Sequence, residues 1–146
     1  MIDVLSPDDC EAILEFADKN PIRIGGLLMS ELNIMTLRNM LFYNTLIIVG
    51  NKQSDGSINK LMIVSVPSLE TEYKSLTLVY HWNDVDFTIC ALNLLRGLVG
   101  DNYSKVKVNI YDMSVPKTLI ESGFVSEFDY TFENGSIAVY SYFFQT

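Results

Sequence analysis

The sequence predicts one mixed α/β (α+β) domain, a central sheet with helices on both faces. Three observations carry that expectation. Runs rich in leucine and β-branched residues, each of strand length, recur at 45–49, 61–66 and 76–80. Apolar residues at helical spacing mark 10–17 and 87–99. Two alternating aromatic runs, 124–132 and 137–144, flank Asn134-Gly135, the strongest short hairpin signal available.

Taken in order, residues 2–5 read as a first strand. Ser6 caps a helix behind it, with Pro7 suited to the first helical position and Asp8, Asp9 and Glu11 near its positive end. Cys10, Ile13, Leu14 and Ala17 share one face, and Asn20-Pro21 ends the helix. Gly25-Gly26 opens a second helical segment to about Leu41, with Leu28, Leu32 and Met35 inward and Met29, Met35 and Met40 filling the core. The strands at 45–49 and 61–66 form a hairpin with a long polar loop that turns at Asp55-Gly56. A connector at 67–72 leads to the strand 76–80.

In the next helix Phe87, Ala91, Leu94, Leu95 and Leu98 mark an apolar face. Ile89, Cys90, Leu92 and Val99 widen it, so the helix is expected to be covered on more than one side. Arg96 and Gly100 are its stop signals. Val106, Val108 and Ile110 alternate with Lys105, Lys107 and Asn109, a half-buried strand. The helix supplies the crossover that parallel strands need, so 76–80 and 106–110 are expected to run parallel. Ser114 caps a short helix with Pro116 in its first turn, and Gly123 ends it. Gly135 is expected at φ > 0 in a tight turn Asn134-Gly135, and Asn134 with it.

Composition narrows the function. A formal charge of −8 opposes binding to nucleic acid, which needs clustered Lys and Arg. It suits a cationic small molecule or a basic protein partner. No apolar run reaches the ~20 residues of a membrane span, and Met1-Ile2-Asp3 lacks a signal-peptide pattern, so a cytoplasmic protein is expected. Cys10 and Cys90 stand apart and His81 is the only histidine, which leaves no metal-ligand spacing.

The element order β-α-α-β-β-β-α-β-α-β-β, together with Leu119-Ile120-Glu121-Ser122-Gly123-Phe124 before the last hairpin, resembles the GNAT superfamily, the acyl-CoA-dependent N-acyltransferases. The resemblance spans essentially the whole chain. It implies a GNAT-like mixed sheet and an acyl-CoA site between the strands 76–80 and 106–110. Members usually carry Gln/Arg-x-x-Gly-x-Gly/Ala at the helix start, where backbone N–H groups hold the CoA pyrophosphate. Here the aligned segment is Val85-Asp86-Phe87-Thr88-Ile89-Cys90, with Val85 for the basic or amide residue and only Cys90 suitably small. Asp84 and Asp86 would each repel a diphosphate within ~5 Å by roughly 1 kcal/mol. The family's asparagine after the fifth strand aligns with Asp112, and its thiolate-protonating tyrosine with Leu119, which has no proton to give. Tyr111 or Tyr130 would have to substitute.

No catalytic residue follows from this alignment, and no cofactor is expected. If acetyl-CoA binds, its contacts would come from Val79, Tyr80, His81, Phe87, Thr88, Ile89 and Cys90. His81 and Trp82 end the central strand, where open α/β sheets line ligand crevices; the alternative is a pair of rings packed on a loop. The aromatic run from Phe124 to Phe144 lacks interleaved Lys or Arg, so it reads as hairpin core, with any excess covering a homodimer interface. Three readings stand: a ligand- or protein-binding module that has lost usual acetyl-CoA binding, an atypical N-acetyltransferase acting on an amine, and an acidic inhibitor of a basic site.

Overall fold

The computed structural model describes residues 1–67, 74–112 and 114–144. The connector expected at 67–72 lies, from residue 68 on, outside the described residues. The strands are β1 (Ile2–Val4), β2 (Arg23–Ile24), β3 (Leu27–Leu28), β4 (Leu46–Lys52), β5 (Ile58–Ser65), β6 (Ser75–Tyr80), β7 (Lys105–Tyr111), β8 (Val125–Phe132) and β9 (Gly135–Phe143). The helices are α1 (Cys10–Lys19), α2 (Ile34–Phe42), α3 (Val85–Val99) and α4 (Lys117–Glu121). Seven strands form one sheet in the order β1-β4-β5-β6-β7-β9-β8, while β2 and β3 pair separately. Every contact in the large sheet is antiparallel except β6 with β7. The expected parallel pair is therefore present, with α3 as its crossover.

Two cores flank the sheet. On one face α1 and α2 bury Ile13, Phe16, Leu37 and Leu41 against Leu46, Ile48, Leu61 and Ile63. On the other, Phe87, Ala91, Leu92 and Leu95 of α3 and Leu119 of α4 pack on Val49, Met62, Leu76 and Val106. Alternation along each strand sends successive residues to opposite cores, as at Ile48 and Val49.

Several local expectations need correction. Gly25 sits at φ +62°, so Gly25-Gly26 turns the small β2–β3 hairpin instead of opening a helix. Helix α2 begins only at Ile34, where Asn33 caps it by accepting from the Met35 N–H at 2.8 Å, and Met35 itself is exposed. Pro116, not Ser114, stands before α4. Helix α3 is covered on one side only, with Ile89 and Leu98 exposed. In the last hairpin Phe132 pairs with Gly135, so the two-residue loop is Glu133-Asn134, one residue earlier than expected, and Asn134 has no positive φ. Gly135 has the expected positive φ, +157°, and a Cβ there would also meet both Asp112 carboxylate oxygens at 2.7 Å.

Candidate functional site

The site is the gap between β6 and β7 and the start of α3 above it. The two strands pair only at Ser75, Leu76 and Thr77, against Lys105, Val106 and Lys107. Beyond that point Tyr80 stays with β5 and Val108 with β9, so the pair splays open toward its C-terminal end. A bulge assists the divergence. Tyr80 faces Ile63 and Leu78 faces Val64, which leaves Val79 as an extra residue on β6. An extra residue bends its strand and raises its twist.

The walls of the splay are not left free. Tyr80 meets Phe16 edge-on at 6.3 Å, and Trp82 lies tilted on the same ring at 5.4 Å. Among the described residues Trp82 is the one side chain packed against both cores, so its indole spans the sheet at the end of β6. Next to it Asn83 accepts a hydrogen bond from the Thr118 hydroxyl on α4. That bond ties the loop after β6 to the helix after β7, across the mouth of the splay. His81 is half-buried, and burial pushes its imidazole below the ordinary 6.5, so the ring is neutral at neutral pH.

The α3 start carries its own anion. One Asp84 carboxylate oxygen accepts from the Phe87 N–H at 3.0 Å, the N-cap arrangement that satisfies a free helix donor. The other accepts from the Lys60 ammonium of β5 at 2.7 Å. The Lys60 hydrogen bond, followed by that from Phe87, outweighs partial burial and holds the Asp84 carboxyl below its ordinary 3.8. The Thr88 hydroxyl donates to the Asp84 carbonyl at 2.7 Å. A carboxylate thus occupies the place where a helix N-terminus would otherwise attract a phosphate.

The structure distributes the expected contact residues unevenly. Val79 and Tyr80, at the end of β6, pack against the core beneath α1 and α2, and His81 follows them. Phe87 and Thr88 are buried with their side chains in the core, Ile89 is exposed, and Cys90 is half-buried. Only their backbone could face a ligand at the helix start. Leu119 is fully buried. Tyr111 and Tyr130 lie in one row across β7, β9 and β8, through the pairing of Ile137 with each of them. Asp112, at φ +50°, accepts from the Ser136 N–H at 2.5 Å and so anchors the final hairpin.

The sequence reading missed Lys60, Asn83 and Thr118. Asp84, directly before an apolar helix, carried a readable cap signal. Lys60 comes from a strand 24 residues earlier, so its ammonium was invisible in a loop inspected on its own. Its presence changes the electrostatic account: Asp84 is ion-paired as well as bound to the α3 N-terminus.

The fold and the splayed pair can be set beside known structures. An acetyltransferase of the GNAT family from Streptococcus pneumoniae superposes with TM-score 0.70 at 11% identity, covering 98% of both chains. The chain has a GNAT fold. A ribosomal-protein-S5-alanine acetyltransferase from Vibrio fischeri is similar at TM-score 0.66 and 10% identity, over 97% of this chain and 91% of that one. A spermidine N-acetyltransferase variant from Vibrio cholerae gives TM-score 0.60 and 13% identity, over 99% and 95%. No family model and no curated protein matches the sequence. The GNAT fold is shared almost end to end, then, with little of the sequence. No described helix is long and apolar enough to cross a membrane.

Proposed function

We propose that this GNAT-fold chain works as a binding module whose usual acetyl-CoA seat is closed by its own side chains. The observation that carries the reading is Asp84, which sits on the α3 N-terminus and is held there by Lys60. A diphosphate arriving at that helix start must displace the carboxylate and break the pairing with Lys60. Trp82 and the Asn83–Thr118 bridge add a second obstacle at the mouth of the splay.

The partner class follows from charge. The chain carries −8, and a groove of about 420 Å³ beside α1 is lined by Asp8, Asp9, Glu11, Glu15 and Asp55. Lys52 is its one cation and is paired with Asp9 at 2.9 Å. A cationic small molecule or a lysine-rich protein segment suits this surface, and a basic site on a partner protein would suit it equally. A cytoplasmic location is in keeping with that role.

A second reading is supported by the Val79 bulge and the splay: an atypical N-acetyltransferase that holds CoA through the β6 backbone, with an amine as acceptor. Thiolate release from acetyl-CoA separates the two. With spermidine, or a lysine-rich peptide, as acceptor, the binding-module reading expects no release above the uncatalysed background. Sustained turnover that grows with protein concentration would install the enzyme reading instead.

A further inference from the structure

We propose that a second copy of this chain docks on the bare sheet face of β7, β9 and β8. Strand register defines the face. Tyr111, Ile137 and Tyr130 form one row across the three strands, and Asn109, Val139 and Phe128 the next. It lies on the same side as α1 and α2, because Thr77, Lys107 and Ser141 continue the Ser65 side of β5. Yet the core beneath α1 and α2 contains no residue of β7, β8 or β9. Among the described residues, half of one sheet face therefore has helices over it, and the other half has none.

What is bare is aromatic. Tyr111 is 61% exposed, Phe128 49%, Tyr130 55% and Phe132 60%, and the Phe128 and Tyr130 rings stack at 6.3 Å. The reading of the hairpin aromatics as core holds for Phe124, Tyr140 and Tyr142 but fails for Phe128, Tyr130 and Phe132. At ~200 Å² for a whole aromatic side chain, the four leave about 450 Å² uncovered. The largest apolar patch of an ordinary monomer is about 300–600 Å². Val125, 51% exposed, and the half-buried Ile137 and Val139 extend the face further toward the ~800 Å² per partner of a standard interface.

Charge selects the occupant. The molecule as a whole is strongly acidic, so two copies repel wherever their carboxylates meet. On this face Glu127, the extra residue of a bulge in β8, is bonded to Lys105 at 2.9 Å, and Lys107 lies beside it. Asp129 belongs to the opposite face, in register with Ala138. Asp112 and Glu133 stay at the turn end, on the rim. The bare face is thus the apolar, carboxylate-poor surface on which two acidic copies can meet, and a two-fold axis through it matches each aromatic row with its own image.

Sedimentation velocity on the full chain tests this. A dimer is expected at about 100 µM that persists in ~0.5 M salt, since apolar contact is not screened. Phe128→Ser with Tyr130→Ser should weaken it roughly tenfold or more, whereas Phe42→Ser with Tyr43→Ser, an exposed aromatic pair elsewhere, should not. If the first pair does not fold, Tyr111→Lys on β7 is the substitute and is expected to weaken the dimer in the same way. A monomer at every concentration, a dimer untouched by these changes, or one equally weakened by the control pair would overturn the proposal.

Discussion

The β6 wall and the α3 wall of the splayed gap depend on different things. The strand side is a matter of topology: a short parallel contact, a bulge at Val79, and two strands held apart by β5 and β9. Any sequence that satisfies the two cores reproduces it. The helix side depends on a few atoms, and here Asp84, Lys60 and the Phe87 N–H complete one another with no ligand. On the proposed function, the fold retains the shape of a cofactor site while a single carboxylate closes the part that recognises charge. Shape and recognition are separable, and similarity of shape speaks only for the first.

The core that joins the two walls should be the hardest part to disturb without loss of the whole domain. Phe87→Ala removes a fully buried ring where α3 meets the sheet and should cost about 3–5 kcal/mol. Urea unfolding would show it as a lower midpoint with the same slope. A cost below ~1 kcal/mol would mean that α3 is not pinned to β6 as described.

Next in size is the far wall. Gly135→Val would place a Cβ 2.7 Å from the Asp112 carboxylate, which ends β7, and should cost roughly 1–3 kcal/mol. The clash adds to the strain of a side chain at φ +157°, so adding Asp112→Ala should restore only part of the loss. Thermal melts of the single and double variants decide between these causes.

Smaller effects belong to the helix side. Thr118→Val removes the hydroxyl bonded to Asn83 and should cost about 1 kcal/mol while freeing the mouth of the splay. The Asp84 carboxyl is held below its ordinary 3.8 by Lys60 and the Phe87 N–H. Its stabilising contribution is therefore complete above the unfolded-state value and lost as pH falls through the lower folded-state value. Asp84→Ala should flatten that part of the acid limb and leave the melting temperature nearly independent of pH between 6 and 8. An unchanged acid limb would show that Asp84 is not paired in solution.

Much of this architecture was legible in the sequence because it follows from period and length. The β6–α3–β7 crossover could be read from one strand-length run, a helix and an alternating strand, and Asn134-Gly135 announced the hairpin. The position of the turn was misread by one residue because Phe132 pairs directly with Gly135, and the Ser136 N–H is bonded to a distant carboxylate, Asp112. The β2–β3 turn was misread because Gly25-Gly26 allows a turn as readily as it precedes a helix. In the site, Asp84 as a helix cap was legible, but its ion pair was not. Lys60 and Thr118 reach the loop from other elements, and the bare aromatic face depends on where α1 and α2 stop.

Calorimetric titration with acetyl-CoA tests most directly whether the helix start is closed. For the unaltered chain, affinity is expected to fall roughly 100-fold short of ordinary micromolar cofactor binding, because a ligand must first displace Asp84 from the Phe87 N–H and Lys60. Asp84→Ala frees both the donor and the ammonium, and should tighten binding by about tenfold or more. A low-micromolar dissociation constant for the unaltered chain, unmoved by Asp84→Ala, would contradict the account.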